Sequence, residues 1–206
     1  MEELPAPAVV VLAFLAGSVP FAQLGAGALR QVDLRDVGSG TVSGTGLFEV
    51  AGFAPLAAFG VLEVAKGAVG PWLAGDRPFL AAVAGGAAVV GHNWSPWLRG
   101  AGGRGLSPAI GALLPRHAAG SAVILAGMAI GRLMGETAVG SLAADVVLVP
   151  VLGRTAGREG RAAAFFVVVP MLVKRLAGNR RPEPGHRPVW LWRLLFDRDT
   201  RDRVPA

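Results

Sequence analysis

The residues best suited to chemistry sit in two glycine-rich loops and one apolar helix. In "GHNWSPWLRGAGGRGLSP", Gly91 to Pro108, a long apolar run gives way to Gly102, Gly103, Arg104 and Gly105. Glycines at these positions allow positive φ and close approach of a ligand. Successive backbone N–H groups in such a loop form an anion-binding concavity. A guanidinium among them grips phosphate in two-pronged fashion, and a helix opening near Leu106 adds its positive end. The loop reads as a phosphate cradle, with a flexible turn bearing one arginine as the plain alternative. A second loop, "VGSGTVSGTG", supplies Ser39, Gly40, Thr41, Ser43 and Thr45. Its hydroxyls and amides can surround a polar ligand, or simply cap the next helix.

"LEVAKG" places Glu63 and Lys66 three apart, on one face of a helix. Ionisable groups inside an apolar run usually face a polar interior and mark function. A self-neutralising structural pair is the alternative. His92 precedes the glycine–arginine loop, so a satisfied core histidine and a site residue are both open readings. Asp145 lies in an apolar run and should face protein or water. No G-x-S-x-G elbow, Walker pattern or H-E-x-x-H is present. Cysteine is absent, which excludes disulfides and thiolate chemistry. The three histidines lack metal-ligand spacing, and no cofactor is implied.

The elements that must position these residues are apolar. Of 206 residues 52% are hydrophobic and only 17% charged, against about 25% charged in a typical soluble domain. Apolar runs recur, several approaching the roughly 20 residues that span a bilayer. They are Pro5–Leu29, Leu47–Leu73, Phe79–Trp97, Leu106–Leu114, Ala118–Met134, Thr137–Leu152 and Ala162–Leu172, with "GRTAGREGR" as a loop before the last. The expectation is an all-α, polytopic membrane bundle of about seven transmembrane helices. Residues 1–183 would form the membrane domain and 184–206 a tail. The net charge of +6 fits arginine-rich cytoplasmic loops rather than nucleic-acid binding. Arg30, Arg35, Arg99, Arg104 and the tail then face the cytoplasm, and the N-terminus lies outside. Arg154, Arg158 and Arg161 disagree with that rule. No cleavable signal is expected, since Glu2 and Glu3 precede the first run. In "VWLWRLLFDRDTRDR", Trp190, Leu191, Leu194 and Leu195 share a helix face, which suits an interfacial helix on the inner membrane surface.

In order and spacing, four segments resemble the bacterial membrane glycerol-3-phosphate acyltransferases that use acyl phosphate as donor. "GSVPF" followed by "VDLRDVGSG" matches the family's opening, and "LEVAKG" its L-D-x-x-K-G with Glu63 for Asp. "GH" followed by "GGRG" matches G-H-x-F-P-x-F-x-x-x-K-G-G-K-G, and "KRLAGNRRPE" the closing R-L-x-x-G-x-E. There are departures. Thr41 and Gly46 replace two asparagines, Ala101 and Arg104 two lysines, and Val169 and Leu172 the His and Asn of H-x-x-N. The resemblance implies acyl transfer to glycerol 3-phosphate in phospholipid synthesis at the bacterial cell membrane. Gly102, Gly103, Arg104 and Gly105 would bind phosphate. Ser39, Gly40, Thr41 and Thr45 would meet the acceptor, Lys66 supply charge, Ser141 a polar contact, and His92 proton handling or orientation. The acyl tail would lie between spans. The departures leave open another donor or acceptor, or a non-catalytic lipid-binding scaffold. A homo-oligomer is also open.

Overall fold

The computed structural model describes residues 3–179 and 189–198. Among these residues every regular element is helical, in ten α-helices and two short 3-10 turns. The helices are α1 (Ala6–Ser18), α2 (Phe21–Arg30), α3 (Gly44–Ala51), α4 (Phe53–Leu73) and α5 (Pro78–Asn93). They continue with α6 (Leu106–Leu113), α7 (Ala118–Leu133), α8 (Thr137–Thr155), α9 (Gly157–Ala177) and α10 (Val189–Phe196). Three segments are long and apolar enough to cross a membrane by length and composition: Ala6–Arg30, Phe53–Leu73 and Thr137–Thr155.

Several expected boundaries shift. The first run is two helices, because Pro20 has no N–H and interrupts the ladder between Ser18 and Phe21. The second breaks at Gly52, whose φ of 85° ends α3 before α4 begins. The third stops at Asn93 rather than Trp97, and Pro96 opens a 3-10 turn instead. "GRTAGREGR" is not a loop. Helix α8 runs on to Thr155 and α9 starts at Gly157, so only Ala156 is non-helical. The final apolar run is therefore the interior of a 21-residue helix.

The core joins α5, α6, α7, α8 and α9 through Val89, Ile110, Leu113, Ile124, Leu148, Leu152 and Val167. Large apolar side chains such as Val61, Leu125, Val146 and Phe165 stay exposed on the outside, as expected of a bundle whose solvent is lipid. Such bundles pack through small residues that let backbones approach. Gly111 of α6 lies against the Val64 carbonyl of α4, and Gly67 of α4 against the Pro108 carbonyl. A methyl group at Gly111 would overlap backbone that cannot yield. Gly111→Ala should therefore separate α4 from α6 and destabilise the protein by about 1–3 kcal/mol. The check is a lower melting temperature in detergent, and an unchanged one would rule the packing account out.

Candidate active site

The break at Pro20 leaves the Ala22 N–H without a helical partner and the Val19 carbonyl with only a local bond from Phe21 N–H, and α4 supplies a partner to each. Lys66 Nζ donates to the Val19 carbonyl at 2.6 Å. Glu63 Oε1 accepts from the Ala22 N–H at 3.0 Å. Glu63 Oε2 lies 2.7 Å from Lys66 Nζ and 3.2 Å from His92 Nδ1. All three side chains are buried. The expected pair therefore does face the interior, and it also reaches His92.

His92 carries this pairing to the glycine–arginine loop. The point where a Cβ on Gly103 would sit is occupied by His92 Nε2, and a Cβ on Gly102 would meet the His92 carbonyl. The two glycines are required by this close approach of the end of α5. Their amides are engaged within the protein: Gly103 N–H donates to the His92 carbonyl at 3.3 Å and Gly102 N–H to Asn179 Oδ1 at 3.3 Å. Of the expected positive-φ glycines only Gly105 adopts it, at 84°. The loop is thus a tight junction more than an open nest. What remains for an anion is Arg104 and the start of α6, whose first turn has no side-chain cap from Gly105.

Asn179 joins the two loops. Its Nδ2 donates to the Gly40 carbonyl at 2.9 Å and to the Gly102 carbonyl at 2.8 Å, and Val42 N–H donates to the Gly102 carbonyl at 3.2 Å. Ser39 and Thr41 hydroxyls pair at 2.9 Å on the exposed side. Ser43 accepts from Gly46 N–H and caps α3, which leaves Thr45 exposed in its first turn. Upstream, Arg35 binds Asp33 through Nε at 2.9 and 3.0 Å. That hydrogen bonding holds the Asp33 carboxyl below its ordinary value, so the pair stays ionised at neutral pH.

The end of α9 adds residues that the sequence placed in the closing motif without giving them a role. Lys174 is almost fully buried, donates to the Gly100 carbonyl at 3.3 Å and lies over the Trp94 ring at 5.2 Å. Its carbonyl accepts from Arg104 Nη1 at 3.0 Å. Arg175 donates to Ser141 Oγ at 2.6 Å and to the Ala138 carbonyl at 3.0 Å. Ser141 is therefore brought next to α9 rather than onto the loop. Asp145, one turn along α8, is buried as well. Asn93, also buried, ties α5 to α9 through the Pro170 carbonyl at 2.9 Å. Lys174 and Arg175 carried a signal, two cations ending an apolar run. Asn179 lay in the same closing motif, with no signal of its own.

An apolar furrow of about 790 Å³ opens between α1, α5 and α9, lined by Val10, Phe14, Val90, Trp94, Phe166 and Val173 among others. Val169, where the resembling family has histidine, also lines it.

Fold and site together define the class: an all-helical integral membrane protein whose polar loops converge at one end of the bundle. Residues 7–181 match the family model for glycerol-3-phosphate acyltransferase, and the chain belongs to that family. It is 38% identical over 180 residues to the glycerol-3-phosphate acyltransferase of Myxococcus xanthus (strain DK1622), covering 84% of this chain and 92% of that one. Its fold is similar to that of PlsY (YgiH), an integral membrane glycerol 3-phosphate acyltransferase, in the glycerol 3-phosphate form. That match has a TM-score of 0.74 and 22% identity, over 82% of this chain and 88% of that one. The lysophosphatidic acid form of PlsY gives a TM-score of 0.73 at 20% identity, over 82% and 87% of the two chains.

Proposed function

We propose that this protein transfers a fatty acyl group from acyl phosphate to the hydroxyl of glycerol 3-phosphate, giving lysophosphatidic acid and inorganic phosphate. Family membership supports the reaction class. The observation that carries the reading for this chain is the junction itself: Arg104, the Ser39–Thr41 hydroxyls and the Glu63–His92 pair are held together by Asn179 and Gly103. Acyl phosphate is a mixed anhydride with a good leaving group, so no covalent enzyme intermediate is needed. Catalysis then rests on positioning and on stabilising charge on the oxyanion and the phosphate. Arg104, with Gly105 and the start of α6, binds phosphate, while Gly102 and Gly103 hold the loop against His92. Ser39, Gly40, Thr41 and Thr45 face the acceptor. Lys66 supplies positive charge beside Glu63, and Ser141 orients Arg175. The acyl tail occupies the furrow beside α1, α5 and α9.

The loop end faces the cytoplasm of a bacterial cell and the N-terminus faces outside. Following each helix from end to end supports this orientation. Arg30, Arg35, Arg99, Arg104, Arg132, Lys174 and Arg175 gather at the loop end. Arg77, Arg116, Arg154, Arg158 and Arg161 gather at the other, so the balance favours the loop end. The membrane domain ends near residue 183, a boundary outside the described residues. The tail helix α10 rests at the cytoplasmic surface with Trp190 outward.

The test is phosphate release from synthetic acyl phosphate by purified protein. Release that needs glycerol 3-phosphate is the expected result. Release that needs a different acceptor, which the Thr41 and Leu172 replacements would favour, or no release at all, would overturn the assignment. Arg104→Ala should raise KM for a phosphorylated substrate at least tenfold, since a hydrogen bond to a charged group contributes about 1.5–3 kcal/mol. Unchanged KM for both substrates would remove Arg104 from the site.

A further inference from the structure

Helix α10 lies beyond the segment that the family model matches, yet it reaches the site. It packs on α8 and α9. Arg193 donates to the Leu176 and Ala177 carbonyls at 3.0 and 2.6 Å, closing the end of α9. Arg175 donates to the Leu194 carbonyl at 3.2 Å. Arg198 grips both oxygens of Glu136 at 2.7 Å. Between these anchors, Asp197 N–H bonds to the Arg193 carbonyl at 3.1 Å, and Asp197 takes φ 54°. Aspartate is one of the few non-glycine residues enriched in this left-handed region. The turn directs its carboxylate inward, where Oδ1 lies 2.6 Å from Arg104 Nε, with the two side chains 19% and 10% exposed.

Arg104 is thereby held on two sides, by a hydrogen bond from Nη1 to the Lys174 carbonyl and by an ion pair with Asp197 beside Nε. A guanidinium presents its donors in a rigid planar fork, so a hydrogen bond at Nη1 and an ion pair beside Nε together restrict that plane. An arginine already ordered loses less freedom on binding. Lysine, which the resembling family has at this position, offers one point charge and no second edge to clamp. Lys174 and Arg175 flank the pair, so one carboxylate leaves the region cationic.

We infer that Asp197, from a C-terminal helix outside the family segment, is a positioning residue that orients Arg104 toward the substrate phosphate. The inference rests on the phosphate-binding reading of Arg104. The experiment compares full-length wild type, Asp197→Asn, Asp197→Glu, Arg104→Ala and the Arg104→Ala/Asp197→Asn double variant. Each is assayed for kcat and for KM with glycerol 3-phosphate and acyl phosphate. Asp197→Asn should raise KM for the substrate held by Arg104 by about five- to twentyfold, with kcat within about threefold, as expected of lost binding rather than lost chemistry. In the Arg104→Ala background the same change should add nothing, because coupled residues are non-additive. Asp197→Glu keeps the charge but displaces the carboxylate, and should still raise KM by about threefold; a purely electrostatic role would leave it unchanged. Should Asp197→Asn fail to fold, Asp197→Glu reads the same effect. A lower KM in Asp197→Asn would mean that the carboxylate competes with phosphate, and an unchanged KM that it does not act; either overturns the proposal. If Arg104→Ala raises KM and Asp197→Asn does not, only the Asp197 role falls. If Arg104→Ala is itself silent, the phosphate reading falls first.

Discussion

Glu63→Ala should lower both the melting temperature and the turnover of the protein more than any other single change in α4. Three groups depend on that carboxylate: the Ala22 N–H, the Lys66 ammonium and His92 Nδ1. Removing it leaves Lys66, 4% exposed, with the Val19 carbonyl as its remaining hydrogen-bond acceptor. Breaking a buried ion pair from one side costs about 3–5 kcal/mol, because the other charge stays buried and uncompensated. Native proteins are stable by only about 5–15 kcal/mol, so a loss of that size is a large part of the whole. The α1–α2 break would lose one of its two closures as well. Glu63→Asp keeps the charge and the residue type of the resembling family, and should retain most of the stability. Glu63→Gln keeps an acceptor for Ala22 but leaves Lys66 unneutralised, and should fall between the two. Thermal unfolding in detergent orders the series. A Glu63→Ala protein melting with the wild type would show that the pair is not a staple of the bundle.

That pair was legible in the sequence because charge inside an apolar run is costly, and chains keep it where a partner pays. The glycine–arginine and serine–threonine loops were legible for a related reason, since polar and glycine-rich segments stand out between apolar runs. Hydropathy reports how much of a run prefers lipid, not where its backbone breaks. It therefore merged α1 with α2 and α3 with α4, although Pro20 and Gly52 mark both breaks locally. The charged run from Gly153 to Arg161 looked like a loop because hydropathy is blind to helices that emerge from the apolar layer. Asn179 and Asp197 were out of reach for a different reason. Asn179 meets Gly40 and Gly102, 139 and 77 residues away, and no local pattern encodes such a contact. The glycines at 102 and 103 invited a phosphate-nest reading, and the structure gives them a different first task, making room for His92.

His92→Ala should reduce kcat by about 10²-fold or more, the lower range for loss of a general base, while KM for glycerol 3-phosphate changes only a few-fold. Nδ1 lies 3.2 Å from Glu63 Oε2, a contact that favours a proton on Nδ1 and leaves Nε2 facing Gly103 and the loop. In the reaction we propose, Nε2 would accept the proton of the acceptor hydroxyl as its oxygen attacks the acyl carbon, with the imidazolium held beside Glu63. The acyl–phosphate bond would then break, phosphate would leave with the electron pair, and His92 would return its proton to the departing phosphate. Glutamine separates proton transfer from mere orientation. His92→Gln can still donate to Glu63 and fill the space under Gly103, but it cannot take a proton. It should therefore lose nearly as much kcat as His92→Ala while keeping a melting temperature close to wild type. If His92→Gln instead turns over within about tenfold of wild type, less than the range for general-base loss, the imidazole is a strut between Glu63 and the loop. The base must then be sought elsewhere, in the Ser39–Thr41 loop or on the phosphate itself.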